Sequence, residues 1–310
     1  NFDNPTAPVL LDLDVPGKGK VPAVAQITKQ SWVYAFNRIT GEPIWPIVDR
    51  PVPPSIVPGE VLSPTQPHVT RPAAYEMQGI TEDDLIDYTP ELREQAIAAL
   101  EDYQMGPLFN PPIHIDNPDG KYAAMNCPGG AGGSNITAPA VADPTSGILY
   151  VSSHKGCFAL RLTEGEEADL LYPQTTGVTF SRYANSVRGA TARPPRGPGG
   201  LPLWKPPYSR ITAIDMNTGE HLWWIPTGET PDRYKNNPAL EGIDIGNTGT
   251  GALVPMVATK NMLVYSDVAS DGTPMLYAIE RRLKVDVFVV YTDSETWFGK
   301  VHPFQALKQY

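Results

Sequence analysis

The chain has 310 residues, of which 34 are proline and 27 glycine, and 41% of its side chains are hydrophobic. Proline at roughly twice its usual share excludes a bundle of long helices, and the apolar fraction excludes a disordered chain. A net charge of −10 argues against a sequence-independent grip on a nucleic-acid backbone, and no apolar run is long enough for a membrane-spanning helix.

In chain order, runs rich in apolar and β-branched residues at 9–13, 21–27, 31–36 and 43–48 predict four short strands in close succession. That density is typical of a sandwich or a propeller. Glu82-Asp83-Asp84 reads as a solvated turn. Thr89 is a suitable N-cap and Pro90 suits the first helical position, so the run from Glu91 to Leu100 is predicted as one short helical insertion. Further strands are predicted at 138–142, 148–153 and 157–160, then at 211–215 and 221–225, and finally at 253–258, 262–266 and 275–279. Between them, residues 188–207 are rich in Pro, Gly and Arg and read as a long surface excursion. Cys127 and Cys157 are the only cysteines; a disulfide and two free thiols are both compatible with the sequence. The opening Asn1-Phe2-Asp3 reads as the interior of a longer protein.

An internal repeat organises these strands. Ala35-Phe36-Asn37-Arg38-Ile39-Thr40-Gly41-Glu42-Pro43-Ile44-Trp45 runs parallel to Ala213-Ile214-Asp215-Met216-Asn217-Thr218-Gly219-Glu220-His221-Leu222-Trp223. The frame encodes a strand, a turn closed by Thr-Gly, and a second strand ending in tryptophan. A third copy begins at Met275 and fades after Glu280. Such repeats predict a β-propeller in which the tryptophan of one blade packs on the next.

Other chemistry-bearing patterns are lacking. His68, His114, His154, His221 and His302 have no zinc-type spacing. The run Gly129-Gly130-Ala131-Gly132-Gly133 lacks the dinucleotide fingerprint and a helix after it. Asn135-Ile136-Thr137 matches a glycosylation triplet, a pattern common by chance.

Several collinear motifs carry a family resemblance over residues 1–279. Thr28-Lys29-Gln30-Ser31-Trp32-Val33-Tyr34-Ala35-Phe36-Asn37-Arg38-Ile39-Thr40-Gly41-Glu42-Pro43 resembles a blade of the pyrroloquinoline quinone (PQQ) dehydrogenases. Val52-Pro53, Pro58-Gly59-Glu60 and Ser63-Pro64-Thr65-Gln66-Pro67 resemble a stretch of the membrane glucose dehydrogenase branch. Gly106-Pro107-Leu108-Phe109-Asn110-Pro111-Pro112, Gly132-Gly133-Ser134-Asn135 and Asn247-Thr248-Gly249 continue in the same order. The resemblance implies an all-β fold, the C-terminal portion of an eight-bladed propeller. It implies PQQ with Ca²⁺ or a related cation, a periplasmic location, and oxidation of a sugar, polyol or alcohol with ubiquinone or a cytochrome as acceptor. It also implies that metal ligands, and any membrane association, belong to a region N-terminal to Asn1.

The chemistry gives roles to three positions. One quinone carbonyl must be made electrophilic, and a cationic donor beside a metal ion does this. By resemblance that donor is Lys29. A carboxylate must take the substrate hydroxyl proton; alignment with the family's Trp-Asp-x-Asp segment puts Asn1 at the base position and Asp3 at the second aspartate. An amide is not a useful base, so the alignment implies a lost base or an altered chain edge, with Asp3 the nearest alternative. Asn135 matches a cofactor-facing position, with Ile136 where the family usually has tryptophan.

After Glu280 the pattern changes, dividing the chain into a partial propeller at 1–280 and a foreign-looking tail at 281–310. The apolar run Val285-Asp286-Val287-Phe288-Val289-Val290-Tyr291 reads as a buried parallel strand. Residues 284–310 resemble a segment of the von Willebrand A-type domain of Ro/TROVE proteins, with Asp293 at a metal-motif position. Two functional expectations follow for the whole: a PQQ-dependent dehydrogenase acting without nucleic-acid partners, or a non-catalytic propeller that has lost its base. An RNA-associated role rests on the tail alone and conflicts with the acidic balance.

Overall fold

The computed structural model describes residues 4–57, 60–129, 133–136, 138–143, 145–164, 183–184, 193–260 and 262–265. The first sheet is built from β1 (Val9–Val15), β2 (Gly19–Ile27) and β3 (Val33–Asn37), antiparallel and in chain order. Its register sets Val9 opposite Ala25 and Ala25 opposite Ala35. Side chains alternate as the pleat requires: Leu11, Leu13 and Val15 are buried while Leu10, Asp12 and Asp14 face outward.

Two predicted boundaries shift here. The third strand was expected from residue 31 but starts at Val33, because Ser31 has a φ of 66° and its amide closes a turn on the Thr28 carbonyl. The fourth strand, expected at 43–48, is reduced to a bridge between Pro43 and Phe36 and the bond from Ile44 N to Ala35 O. Pro43 and Pro46 cannot donate to a ladder. The chain instead leaves the sheet and forms β4 (Ile47–Pro51), which pairs with β5 (Thr65–Val69).

The following insertion carries β6 (Gly79–Ile80), α1 (Pro90–Ala99), β7 (Tyr103–Gln104), β8 (Gly106–Pro107), β9 (Ile113–His114) and β10 (Ala123–Asn126). The helix starts where the sequence predicts: Thr89 Oγ1 accepts from Leu92 N at 3.1 Å, and Pro90 needs no partner for its nitrogen. Leu92, Ala96 and Leu100 form its buried stripe. Ahead of it, Glu82 and Asp83 are exposed as expected, while the Asp84 carboxylate accepts from Thr81 N at 2.8 Å.

The second blade consists of β11 (Val141–Asp143), β12 (Ile148–His154), then, beyond β13 (Phe158–Glu164) and β14 (Tyr183–Ala184), β15 (Ser209–Asp215) and β16 (Glu220–Pro226). Its order is β11-β12-β15-β16, antiparallel throughout. The strand predicted at 157–160 exists as β13 but leaves this blade and pairs with β10. Cys127 and Cys157 join the ends of those two strands in a disulfide, resolving the open alternative. After α2 (Asp232–Lys235), β17 (Met256–Ala258) and β18 (Leu263–Tyr265) pair as a further two-stranded sheet. The strand predicted at 275–279, the third repeat copy and the tail lie outside the described residues.

The strand β11 lies against β1 on one side and β17 on the other, as the innermost strands of successive blades do. Leu13, Ile27 and Ala35 of the first blade share one core with Leu149, Val151 and Ile214 of the second. Trp45 is packed against this core, and its Cζ2 lies 3.1 Å from where a Cβ on Gly219 would stand. The tryptophan of one repeat therefore docks on the Thr-Gly turn of the next, as the repeat predicts.

One expectation holds only in part, in the stretch between β14 and β15. The described part of 188–207 is not simply a surface excursion: Leu201 and Leu203 are buried with Leu92, Ala96 and Leu100 in a second core. Prolines and glycines in this stretch signal an irregular path, while its leucines obey the ordinary drive to leave water.

Candidate functional site

The antiparallel registers divide each blade into two ends. Tight hairpin turns such as the one at Thr218 and Gly219 occupy one end. The β2–β3 turn, the chain entering β11, the β12–β15 connection and the chain entering β17 occupy the other. Lys29 and Asn135 both lie at this second end.

Lys29 is half-buried on the turn of residues 28–32. Thr28 N donates to the Tyr75 phenol at 3.3 Å, which donates in turn to Thr28 O at 2.8 Å; Tyr75 N bonds Ser31 O at 3.0 Å. Full burial drives the Tyr75 hydroxyl far above its ordinary pKa, so it stays protonated and holds the turn. Gly133 sits directly on this turn: a Cβ there would stand 2.6 Å from both the Lys29 carbonyl and Ser31 Oγ. Only glycine permits that approach, at a φ of 65°.

Two residues on, half-buried Asn135 turns its Oδ1 to Ile136 N at 2.8 Å, and its carbonyl accepts from Ala138 N. The intervening Ser134 is buried and donates to Ser152 O at 2.7 Å. The structure thus places the segments of Lys29 and Asn135 side by side. Asn1 and Asp3 lie outside the described residues.

His154 ties the neighbouring strands together. Its backbone bridges Gly133, with both amide bonds at 3.1 Å, and its Nδ1 lies 3.1 Å from Gly251 O. Ala35 and Ala213 are equivalent in the repeat and pair with Ala25 and Tyr150. That register puts His154 at the position that Lys29 holds one blade earlier.

A charged pair missed by sequence reasoning fastens the same region. The Glu76 side chain is 1% exposed; its Oε2 lies 3.4 Å from Arg210 Nε and accepts from Ser153 Oγ at 3.2 Å. Arg210 Nε also donates to Tyr75 O at 3.0 Å. Burial lowers the pKa of nearby Lys155; Glu76 counteracts the shift and Arg210 adds to it. Lys155 Nζ donates to Lys205 O at 2.7 Å.

These residues suit a flat polyanionic quinone. Half-buried Lys29 and Asn135 stand on adjacent segments, and the fully buried Ser31 Oγ, with no hydrogen-bond partner among the described residues, lies against Gly133. Among those residues no cluster of three or more His, Cys, Asp or Glu gathers as a metal centre.

Comparison with known proteins agrees with this architecture. The chain is 26% identical over 305 residues to the quinate/shikimate dehydrogenase (quinone) of Acinetobacter baylyi, covering 89% of this chain and 37% of that protein. It is 29% identical over 239 residues to the glycerol dehydrogenase large subunit of Gluconobacter thailandicus, covering 72% of this chain and 31% of that protein. The chain thus spans about a third of the length of these relatives. In keeping with the resemblance read in the tail, a short partial match of 37 residues at 65% identity relates 12% of the chain to 7% of the RNA-binding protein RO60 of Deinococcus radiodurans. Residues 1–283 match the model of the PQQ glucose/ethanol/alcohol dehydrogenase β-propeller domain, and the chain belongs to that family.

Proposed function

We propose that the chain forms one wall of the active site of a PQQ-dependent dehydrogenase that oxidises a sugar, polyol or alcohol. The observation that carries this reading is the direct seating of Gly133 on the turn of Lys29, which brings Lys29, Ser31 and Asn135 to one end of two adjacent blades. Bound PQQ supplies a quinone carbonyl that accepts a hydride from a substrate C–H. Lys29 is the charge-assisted donor that stabilises negative charge developing on such an oxygen, and Asn135 offers an amide to the same group. Tyr75 and Gly133 hold these donors in place before substrate arrives, so no reorganisation is needed when charge develops.

Position 1 marks the place of the proton acceptor. Asn1 cannot take a proton there, and Asp3 is the nearest carboxylate in the chain. Ca²⁺ accompanies the cofactor in this reading, with ubiquinone or a cytochrome as acceptor and the periplasm as location. The Cys127–Cys157 disulfide supports an oxidising compartment. The two blades and the start of a third are read as the C-terminal portion of an eight-bladed propeller at 1–280, followed by the tail at 281–310.

Calorimetric titration of PQQ into the chain, with and without Ca²⁺, tests the reading. Saturable binding strengthened by Ca²⁺ and weakened about tenfold or more in Lys29→Ala is expected, the loss of one charge-assisted hydrogen bond. A folded chain that binds no PQQ would favour the non-catalytic propeller module, the reading to which Asn1 at the base position also points.

A further inference from the structure

The glycine seated on the Lys29 turn arrives on a stretch with little means of ordering itself. Gly129-Gly130-Ala131-Gly132-Gly133 has almost no side chain to pack, and its glycines have the most backbone freedom to lose. Gly133 must nonetheless reach one spot, since its close approach to the Lys29 carbonyl leaves no room even for a Cβ. The run cannot set that position alone.

The Cys127–Cys157 disulfide lies where it can do so. Cys127 directly follows β10, Cys157 directly precedes β13, and both are buried, with Cα atoms 4.4 Å apart. The two strands share a short ladder, Ala124 with Leu160, Met125 with Ala159 and Asn126 with Phe158. Just past Cys127, a Cβ on Gly129 would stand 3.2 Å from Phe158 N and 3.4 Å from the Cys157 carbonyl carbon. Gly133 then exchanges two amide bonds with His154, each 3.1 Å. The glycine run is therefore fastened to one segment at both ends, covalently at its start and by hydrogen bonds at its finish. A second path leads from the same cysteine to the same turn. Cys127 O accepts from Gly79 N at 3.2 Å, and the adjacent Gln78 Nε2 donates to the Gln30 carbonyl beside Lys29.

We propose that the Cys127–Cys157 disulfide is the positioning element of the Lys29–Asn135 wall. With the bridge between Gly133 and His154 it closes a small ring, which confines the glycine run and reduces the entropy lost when Gly133 seats on the turn. Without the bond the blades persist and the wall loosens. That this wall receives PQQ rests on the dehydrogenase reading; the seating of Gly133 does not.

The test compares the full chain with Cys127→Ala/Cys157→Ala and with Leu92→Ala, first by hydrogen exchange without cofactor. Leu92 shares the buried core of both cysteines, so its truncation destabilises that core and leaves the bond intact. Relative to the amides of β2, those of Ser31, Tyr75 and Gly133 should exchange about tenfold faster or more in the double variant and at an unchanged ratio in Leu92→Ala. Calorimetry should then show PQQ affinity reduced about tenfold or more in the double variant and unchanged in Leu92→Ala. Unchanged ratios in the double variant, an equal rise in Leu92→Ala, or undiminished PQQ binding without the bond overturns the proposal. Looser wall amides in the double variant, with no PQQ binding even by the intact chain, support the positioning role and remove the dehydrogenase reading. If the double variant does not fold, pulse labelling of the intact chain during reduction by dithiothreitol gives the same reading. The wall amides should then label ahead of those of β2, and simultaneous labelling overturns the proposal.

Discussion

At Glu76 a carboxylate is held almost entirely out of water by Arg210, Ser153 Oγ and the amide of Met77. A charge so placed costs more to leave unpaired than the pair contributes by forming. Glu76→Gln removes the charge but keeps the shape, stranding the Arg210 guanidinium. The expected cost is about 3 kcal/mol, the low end for a broken buried pair because Arg210 keeps some solvent. Urea denaturation measures it. Lys20→Gln, which breaks the exposed pair with Asp14, should cost no more than about 0.5 kcal/mol in the same assay. Equal costs for the two variants would remove Glu76 from its place as the fastening of the Lys29 region.

His221 gives the fold a pH dependence of known sign. Its Nε2–H donates to Ala73 O at 3.0 Å, and partial burial, with Arg210 nearby, holds the ring below its ordinary value of 6.5. The unfolded chain therefore takes up a proton at a higher pH than the folded one. Stability from this group is complete above pH 6.5 and is lost as pH falls through that value toward the lower folded pKa. Thermal melts between pH 7.5 and about 5 should show a declining midpoint, with a shallower decline in His221→Gln. A decline unchanged by the substitution would assign it to other groups.

The two Thr-Gly turns make a controlled comparison at the level of elements. Gly41 and Gly219 share a left-handed backbone, with φ of 77° and 74°. Nothing stands within 4 Å of a Cβ on Gly41, while one on Gly219 would meet the Arg71 stem and Trp45. Gly41→Ala should therefore cost about 1 kcal/mol, the backbone term alone. Gly219→Ala adds the displacement of a docked tryptophan and should reach about 2–3 kcal/mol. Equal losses would show that blade-to-blade docking does not depend on this contact.

The elements also show how the sequence speaks. The helix at Pro90–Ala99 is legible because its signals are local: a capping threonine, a proline at the first position and a run of helix formers. The strand expected at 43–48 fails because a local run of apolar residues says nothing about which neighbour supplies the ladder. Two prolines without donors settle that question against the first sheet. Residues 157–160 form a strand, but a strand's sheet is chosen by non-local pairing, and the disulfide at Cys157 commits it to β10.

For the whole molecule, the disulfide lies within one core and the blade strands pack in another. Cys127 and Cys157 are 30 residues apart and belong to the core that holds α1, while Trp45 and the blade strands pack in another. Reduction, or Cys127→Ala with Cys157→Ala, should destabilise by about 3–4 kcal/mol, the closure entropy of such a loop. Hydrogen exchange should locate the loss: amides of β10, β13 and α1 lose protection first, and those of β1, β2 and β12 last. Uniform loss across both regions would mean a single cooperative unit.

By itself the sequence determined the β-rich class, the repeat frame with its docking tryptophan, the helix and the family, since each rests on local chemistry or on a recurring pattern. It also drew attention to Lys29 and Asn135, though their roles came through likeness alone. Only the tertiary structure decided that Gly133 brings their segments into contact, that His154 holds the place of Lys29 in the next blade, and that Glu76 meets Arg210. These residues are far apart in the chain, and no spacing rule links them; strand register and burial do.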